Sequence, residues 1–514
     1  MNLVVCFKML PDPERILQQD FQNFQLGSDL AYAGSVPNCF DASALEIALQ
    51  LKEQAAVQGM EVTCTALTLS DSIPPLFCEN LYAVGFDRVL CLAQKSYEFA
   101  PRAVAKALSD ALKTLSADVV LFGEEAGFAE TGTVPYFVAA GLGLPLCAHV
   151  ESATLGQGTI QALCRTAEGL FRRTCKAPLA LVIGNSPAVL RYATLRARMK
   201  CRGKAAERLP YKAAVAQDAP ELSCPDTRRH CQLLDAKDSG LFETLLTLCQ
   251  TAEKAKSKEE EHVPFDLSHT LLLDIDGEGM PTAETLGAIP TDRPYFYVFP
   301  DSDAGNYAAA CFATLTNFPS YRSQKLVQLQ GTSMQIQKRA YSSNLLWTQR
   351  LLAPAIVLFK EKPSLQSPAV LRLSASAENT AYKDSVCLER AKDLGLSDAK
   401  LVVACGVGMG SKAATDKARE LAKKLGAGFG LTRPAALNAW GTPEEIIGQS
   451  GTVTHADCVL VLGAAGAGAF LFGIENAKKI IAVNTDEHAL LFQNADYGVT
   501  MDAETVVDKL LEIL

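Results

Sequence analysis

Residues 401–411, LVVACGVGMGS, place an apolar run directly before a glycine-rich turn. Leu401 to Cys405 have strand composition, and Lys412 to Leu425 have helical periodicity after the turn that holds Gly406 and Gly408. A strand that enters a helix through glycines forms an anion site, because backbone N–H groups face outward there and the helix dipole favours negative charge. By itself the segment is also compatible with a plain tight turn, since the complete dinucleotide fingerprint is missing.

Further glycine-rich or polar segments accompany the apolar runs that follow. They are Gly430 to Pro434, Gly448 to Gly451, Gly463 to Ala469, Ala482 to Asp486 and Ala495 to Gly498. Parallel strands end at one edge of a sheet, and open α/β sheets bind their ligands in a crevice at that edge. The segment from Ala399 to Val507 therefore predicts one α/β module that binds a dinucleotide.

This ordered set resembles the FAD-binding domain of the α subunit of electron-transfer flavoproteins. The family tracts (S/T)-R-x-A, G-Q-(S/T)-G, G-x-S-G-A-x-Q-H, A-x-N-x-D and A-D-Y-G match Thr432 to Ala435, Gly448 to Gly451, Gly463 to Phe470, Ala482 to Asp486 and Ala495 to Gly498. The resemblance implies bound FAD, with electron transfer at the flavin and no catalytic side chain. The residues that it places around FAD are Gly406, Gly408, Thr432, Arg433, Gln449, Ser450, Gly451, Gly463, Gly466, Ala467, Phe470, Asn484, Asp496 and Tyr497.

Arg433 and Ser450 are the residues that the resemblance implies for tuning the flavin. A fixed positive charge at Arg433 favours the negatively charged reduced forms. Gln449 and Ser450 correspond to hydrogen-bond partners of the ring or the ribityl chain. Asn484 and Asp496 correspond to contacts with the adenosine half of FAD, but a capping or turn role is open for both.

Three departures from the family pattern change the expected flavin surroundings. Phe470 stands where the family has a histidine, Ala465 where it has a serine, and Val407 where it has an arginine. Loss of one charge-assisted hydrogen bond costs about 1.5–3 kcal/mol, which is on the order of 60–130 mV for a one-electron couple. The flavin is therefore expected to be harder to reduce than in a typical family member, or to be held differently.

The front of the chain resembles the β subunit of the same flavoproteins. The matching segments are Leu3 to Asp12, Asn38 to Ala42, Gly85 to Leu90, Ala117 to Gly123 and Arg191 to Leu195. The resemblance implies an α/β chain with a β-like, three-layer Rossmann-like domain over 1–205, a shortened α-subunit domain I over 263–375 and a parallel-sheet FAD-binding domain over 376–514. Residues 206–262 are expected to form a connecting arm and linker, whose charge run from Glu253 to Glu261 is typical of a solvated join.

A second nucleotide site is implied for the β-like half. The family loop D-G-D-T-A-Q-V-G, which holds AMP or a second FAD, corresponds to Phe128 to Pro135 and thus to Thr131, Gly132, Thr133 and Val134. Asn38 and Asp41 resemble the N-P-(Y/F)-D form of electron-bifurcating members, whereas the loop has lost its first aspartate and its glutamine. Backbone N–H groups around Gly132 still suit a phosphate. AMP, a second FAD and no ligand remain open, and bifurcation is the less favoured reading.

Leu195 corresponds to the leucine of R-Y-A-T-L, which docks into an acyl-CoA dehydrogenase in the family. An exposed leucine suits a small pocket of a partner. Cations at Arg196, Arg198, Lys200, Arg202 and Lys204 follow it. They indicate either a solvated arm or a docking surface for an acidic partner.

Composition limits the remaining classes. The 514 residues carry a net charge of −9, which argues against nucleic acid as a partner because phosphate binding needs a basic face. The sequence contains no apolar run long enough to enter a membrane and no signal-peptide pattern at Met1 to Leu10. Its 16 cysteines include no C-x-x-C pair, so a metal site is not expected and a reducing compartment, the cytoplasm, is.

The sequence thus predicts a single-chain electron-transfer flavoprotein with fused β-like and α-like halves. It is expected to act as an electron carrier rather than as an enzyme with its own substrate, accepting electrons from an acyl-CoA dehydrogenase or another flavin dehydrogenase and passing them to a redox acceptor. The alternative is a nucleotide-binding or regulatory protein that kept the fold and lost or changed its redox role.

Overall fold

The computed structural model describes residues 1–13, 15–24, 29–70, 72–93, 100–125, 132–156, 158–166, 168–211, 221–225, 228–251, 268–276, 279–359, 369–376, 382–390 and 395–514. The chain falls into two compact units. The first contains Met1–Ser223, His262–Tyr341 and Leu345–Arg390, and the second contains Cys224–Glu261, Ser342–Asn344 and Ala391–Leu514.

The strands are β1 (Asn2–Cys6), β2 (Met9–Pro11), β3 (Ser35–Pro37), β4 (Thr63–Leu69), β5 (Arg88–Ala93), β6 (Val119–Gly123), β7 (Leu146–Leu155), β8 (Ile160–Thr166), β9 (Gly169–Cys175), β10 (Leu179–Ile183), β11 (Glu207–Pro210), β12 (Glu221–Ser223), β13 (Gln232–Leu233), β14 (Thr270–Asp276), β15 (Met280–Pro281), β16 (Phe296–Pro300), β17 (Ser320–Ser323), β18 (Lys325–Gln330), β19 (Ser333–Ala340), β20 (Leu345–Leu352), β21 (Ala355–Phe359), β22 (Ala369–Ser376), β23 (Tyr382–Arg390), β24 (Leu401–Cys405), β25 (Gly428–Leu431), β26 (Cys458–Leu462), β27 (Lys479–Asn484) and β28 (Tyr497–Thr500).

The helices are α1 (Gln18–Gln22), α2 (Cys39–Val57), α3 (Pro75–Val84), α4 (Pro101–Leu115), α5 (Val134–Leu142), α6 (Leu195–Lys200), α7 (Leu241–Gln250), α8 (Ala283–Gly287), α9 (Asp303–Thr316), α10 (Lys412–Leu425), α11 (Arg433–Ala435), α12 (Gly468–Ile474), α13 (Leu490–Gln493) and α14 (Ala503–Ile513). None of the helices in the described part of the chain is long and apolar enough to cross a membrane.

The first unit contains two α/β folds. In the front fold, a ten-stranded sheet has the order β11-β5-β4-β1-β6-β10-β7-β8-β9-β23. Its central strands pair in parallel and are buried, as their continuous apolar runs predict. Strand β7 pairs in parallel with β10, and β8, β9 and β23 extend the sheet beyond it with antiparallel pairing.

The second fold is built on a six-stranded sheet of order β15-β22-β14-β16-β21-β17, joined by a four-stranded sheet of order β12-β20-β19-β18. Helix α9 covers the six-stranded sheet, with Ala308, Ala309 and Phe312 fully buried against it. Small residues on α9 permit this close packing of helix on sheet.

The second unit, here called the C-terminal fold, contains a six-stranded parallel sheet of order β13-β28-β27-β26-β24-β25. Strand β13 pairs with β28, and α7 packs onto the same sheet, so part of the predicted arm completes this fold. Lys479, fully buried, donates from Nζ to the carbonyl oxygens of Leu248 and Thr251 at the end of α7, 3.0 Å from each. The predicted α/β class, with a parallel-sheet C-terminal domain, is confirmed.

Candidate nucleotide sites

The carboxyl ends of β24 and β26 meet where the strand order of the C-terminal fold reverses. The chain leaves β24 for β25 on one side and returns to β26 on the other. Gly408 N donates to Gly463 O at 2.8 Å, which joins the loops that follow the two strands. Such a reversal opens a crevice at the strand ends, and this is where α/β sheets bind dinucleotides.

The glycines of these loops are required by contact between two backbones. A Cβ at Gly406 would lie 2.4 Å from Gly463 O, and one at Gly408 would lie 2.6 Å from the same atom. Gly463 itself has a φ of +64° and would meet Gly408 C at 2.6 Å. The loops after β24 and β26 are therefore in backbone contact at these glycines.

The loop after β26 continues through Gly466 and Ala467 into α12. Gly466 has a φ of +88°, and a Cβ there would lie 2.3 Å from Leu491 N. Asn484, at the end of β27, donates from Nδ2 to Ala464 O at 2.8 Å and accepts from Asp486 N at 2.9 Å. Its side-chain amide thus braces the loops after β26 and β27 against each other.

Arg433 begins α11, directly after β25. The preceding Thr432 is buried, and its N–H donates to Cys405 O at 2.9 Å, which fixes the start of the turn. The Arg433 side chain is partly buried. The chain then continues through a π-helical turn, Ala436–Trp440, in which Ala439 has a φ of 60°.

Gln449 and Ser450 lie in a tight turn held to α12. Gly451 N donates to Gly448 O at 3.0 Å, which closes the turn, and Gln449 N donates to Ala469 O at 2.8 Å. The side-chain Oε1 of Gln449 accepts a hydrogen bond from Ser343 Oγ at 2.8 Å. The turn therefore belongs to the same edge of the sheet as Arg433 and Gly463.

Three residues that the resemblance places around FAD have other contacts in the structure. Asp496 and Tyr497 lie at the amino end of β28, the opposite edge of the sheet, and Asp496 Oδ2 accepts from Ile480 N at 2.8 Å and Arg229 Nη1 at 2.6 Å. The ring of Phe470 is buried, 6% exposed, in an apolar cluster with Ile447 and Ile474. The structure does not bring these three side chains together with the crevice glycines.

Two capping residues at the crevice edge were missed from the sequence. Ser411 caps α10 by accepting from Ala414 N at 3.1 Å, and Asp502 caps α14 by accepting from Thr505 N at 2.8 Å. Ser411 follows the glycine turn after β24, and Asp502 follows the carboxyl end of β28. The signal was present, because serine and aspartate before a helical pattern are typical N-caps.

In the front fold, Asp41 and Asn38 tie together the strand ends of the predicted second site. Asp41 accepts from Lys8 N at 2.9 Å and from Gly123 N at 3.0 Å, and Asn38 Nδ2 donates to Glu125 O at 2.7 Å. Burial raises the pKa of Asp41 to about 7, although these hydrogen bonds oppose the shift. Asp41 therefore has a structural role at the carboxyl edge of the front sheet.

The N-terminus of α5 carries the other predicted residues of that site. Thr133 is buried, and its Oγ1 has no hydrogen-bond partner in the described part of the chain. Val134 begins the helix. Gly132 has a φ of +61°, and a Cβ there would lie 2.5 Å from Nη1 of Arg322, whose guanidinium binds Asp301. Thr131 lies outside the described residues.

The segment before and within α6 presents apolar side chains to solvent. Tyr192, Leu195 and Met199 are 87%, 71% and 58% exposed. Its base is fixed, because Arg191 binds the buried Glu46 with Nη2–Oε1 at 2.5 Å and Ala193 N donates to Asn80 Oδ1 at 2.9 Å. The predicted docking residue therefore begins a solvent-exposed helix whose preceding turn is anchored.

Two family models match this chain. Residues 395–475 match the electron transfer flavoprotein FAD-binding domain, and residues 30–213 match the electron transfer flavoprotein domain. Together the matches cover just over half of the chain. The first of them contains β24, β25, β26 and the glycine loops of the crevice.

Similar proteins include electron transfer flavoprotein α subunits. The one from Paracoccus denitrificans is 39% identical over 115 residues, which is 22% of this chain and 37% of that protein. The one from Bacillus subtilis (strain 168) is 33% identical over 162 residues, 31% of this chain and 50% of that protein. The putative electron transfer flavoprotein subunit YdiR of Escherichia coli (strain K12) is 29% identical over 244 residues, 45% of this chain and 78% of that protein.

The match to the first of these relatives is partial, since it spans less than two thirds of the length of the Paracoccus protein. The FAD-binding family model, which matches residues 395–475, falls in the part of the chain that forms the crevice. The residues present fit a dinucleotide there, because glycine and alanine at Gly406, Gly408, Gly463 and Ala464 keep the loops after β24 and β26 small at the strand ends. With both family models, the switch-point geometry and the α-subunit relatives in agreement, the chain belongs to the electron-transfer flavoprotein family.

Proposed function

We propose that this chain is a single-chain electron carrier in which a β-like half is fused to an α-like half. FAD is held by the C-terminal fold, takes electrons from a flavin dehydrogenase and gives them to a redox acceptor. The observation that carries the proposal is the switch-point crevice, where the glycine-to-glycine contact of Gly408 with Gly463 lies within the segment matched by the FAD-binding family model.

Different residues of the crevice contact different parts of the cofactor. Gly406, Gly408 and Gly463 let the backbone approach the phosphates, and the hydrogen bond from Asn484 Nδ2 to Ala464 O holds the loops after β26 and β27 together. Arg433 supplies a positive charge at the end of β25, while Gln449 and Ser450 supply polar side chains from the turn on α12. FAD, when bound, supplies the reversible one- and two-electron chemistry that amino-acid side chains lack.

Reconstitution with FAD tests this assignment. The purified chain, after removal of any bound nucleotide, should regain the visible absorption of oxidised flavin at one FAD per chain and should be reduced by a dehydrogenase with its substrate. A colourless protein that takes up no FAD would contradict the proposal. It would favour the alternative of a fold retained without redox function.

We further propose at most one AMP-like nucleotide, and no second flavin, in the front fold. The buried hydroxyl of Thr133 at the start of α5, which has no hydrogen-bond partner among the described residues, supports a polar ligand there. Acid release followed by chromatography counts the nucleotides, and two FAD per chain would overturn this part and favour electron bifurcation.

Leu195 is proposed as the anchor of a partner that presents an apolar pocket with acidic groups around it. Exposed apolar side chains beside a cationic helix support that chemistry. Leu195→Ala should slow reduction by an acyl-CoA dehydrogenase by about tenfold, which corresponds to 1.4 kcal/mol. Leu352→Ala, a change at a similarly exposed leucine of 67% exposure, should leave the rate unchanged. Equal rates for both variants would remove Leu195 from docking.

A further inference from the structure

His149 occupies an irregular position at the carboxyl edge of the front sheet. Between β10 and β7 the register shifts by one residue, from Leu181 opposite Cys147 to Ile183 opposite Val150. His149 lies in this bulge with a φ of 57°, which is uncommon for a residue other than glycine. Bulges re-aim side chains, and residues in such conformations persist where the surroundings hold them.

Both ring nitrogens of His149 face carboxylates. Nδ1 lies 2.8 Å from Glu124 Oε1, and Nε2 lies 3.2 Å from Asp303 Oδ1. A neutral imidazole has one donor and one acceptor nitrogen, so it would turn a lone pair toward one of the two carboxylates. Only the doubly protonated imidazolium donates to both. Gly184 leaves room for this arrangement, since a Cβ there would lie 2.8 Å from Glu124 Oε2.

The partners come from different folds of the first unit. Glu124 follows β6 of the front fold, whereas Asp303 begins α9 of the second fold. Tyr136, on α5 of the front fold, also donates from its hydroxyl to Asp303 Oδ1 at 2.9 Å. His149 and Tyr136 therefore hold one carboxylate of the second fold from the front fold.

Other charges around His149 are paired or support the same ion pair. Arg173 on β9 acts favourably on Asp303. Arg322 on β17 binds Asp301 bidentately, with Nε–Oδ1 at 2.9 Å, and lies 3.8 Å from Glu125. Glu124 and Asp303 are thus the carboxylates that contact the imidazole directly.

We propose that His149 is a proton-dependent cross-link that locks the front fold to the second fold and releases it when the imidazolium loses its proton. Burial lowers the pKa of His149, but the hydrogen bonds and charges of Asp303 and Glu124 outweigh burial and hold the pKa well above its ordinary value. For Asp303 the directions are reversed: burial raises the pKa of this carboxyl, but His149 and Tyr136 bring the pKa below its ordinary value.

The signs of these shifts set the pH range of the lock. Because the folded pKa of His149 is raised, its stabilisation is complete below the unfolded pKa of about 6.5 and is lost as the pH rises through the folded pKa. Because the pKa of Asp303 is lowered, its stabilisation is present above an unfolded pKa of about 3.9 and is lost as the pH falls. The ion pair therefore holds the two folds together from mildly acidic pH up to the folded pKa of His149, and it is lost at more alkaline pH.

Hydrogen–deuterium exchange on the full chain tests the lock. Exchange rates of the α9 amides, divided by their intrinsic rates, measure how often the helix opens. This opening should increase in total by about tenfold for each pKa unit by which folding raises the pKa of His149. The increase should be complete once the pH exceeds the folded pKa. His149→Gln should show fast exchange already at pH 6.5 and no pH dependence, whereas His269→Gln, a change at a histidine of the same unit that hydrogen-bonds Ser268, should behave like the wild type. Identical pH profiles for His149→Gln and the wild type would overturn the proposal.

A direct titration covers the case in which His149→Gln fails to fold. The chain has six histidines, so ¹⁵N-histidine NMR of the wild type can follow each ring. The His149 signals, identified by elimination with glutamine variants of the other five histidines, should show both nitrogens protonated at pH 7, and the Asp303→Asn change should lower the midpoint. A neutral ring at pH 7, or a midpoint that ignores Asp303, would refute the cross-link.

Discussion

Gly408 and Gly463 touch backbone to backbone, with N and O joined by a hydrogen bond of 2.8 Å. The contact joins the first glycine turn of the C-terminal fold to the loop after β26, which lies 55 residues further along the chain. It explains why neither position tolerates a Cβ, independently of any ligand. The contact lies at the strand ends of the proposed crevice, so we expect a change at either residue to affect both stability and FAD binding.

Gly463→Ala is expected to impair both properties. A left-handed φ costs a non-glycine residue about 1–2 kcal/mol, and forcing a Cβ to 2.6 Å from Gly408 C adds about 1–3 kcal/mol of overpacking. Gly426→Ala is the matched control, since Gly426 also has a φ of +64° but no described atom lies within 4 Å of a Cβ built there. Urea unfolding and FAD titration of both variants measure the difference. Equal losses of stability would show that the loop contact is not tight.

Arg433→Ala should weaken FAD binding and make the flavin harder to reduce. Removal of a charge-assisted hydrogen bond costs about 1.5–3 kcal/mol, which is on the order of 60–130 mV in a one-electron couple. Arg433→Lys retains the charge and should lose less potential than Arg433→Ala. Spectroelectrochemical titration of the reconstituted protein measures both variants, and an unchanged potential in Arg433→Ala would remove this residue from the flavin environment.

Phe470→His separates two readings of the missing family histidine. From the sequence, a new donor at this position should raise the first reduction potential, provided that the ring reaches the flavin. The structure buries the Phe470 ring in an apolar cluster, where an unpaired polar group costs about 1–3 kcal/mol. We therefore expect a loss of stability in urea unfolding without a rise in potential. Phe470→Leu should lose less stability, and a potential raised only by histidine would instead place the ring at the flavin.

The C-terminal fold could be predicted because its signals are local. Apolar runs such as Cys458 to Leu462 are buried on both faces of a parallel sheet, and the glycine turns follow each of them directly. The direction in which a side chain points depends less on the local sequence. Asp496 belongs to a matching tract, yet it lies at the amino end of β28 because the strand begins one residue later. A tract fixes position along the chain, not the edge of the sheet that a side chain faces.

Long-range ion pairs gave no signal in the sequence. His149 and Asp303 are 154 positions apart, and a bulge in β7 is needed to bring them together. The burial of Lys479 under the end of α7 is similar, because its acceptors are backbone carbonyls that any sequence carries. Such contacts depend on tertiary packing, which hydrophobic periodicity does not encode.

Ala439→Gly is expected to stabilise the C-terminal fold. Ala439 has a φ of 60° in the π-helical turn that follows Arg433, and this conformation costs a residue with a Cβ about 1–2 kcal/mol. Glycine adopts it without that cost, although the gain is reduced by the larger entropy of its unfolded chain. Ala436→Gly is the control, because Ala436 lies in the same turn with a right-handed φ of −63°, where glycine should destabilise by about 0.5–1 kcal/mol or more. Opposite shifts of the urea midpoint are therefore expected from the same chemical change three residues apart. If both variants lose stability, the turn does not hold Ala439 in a left-handed conformation.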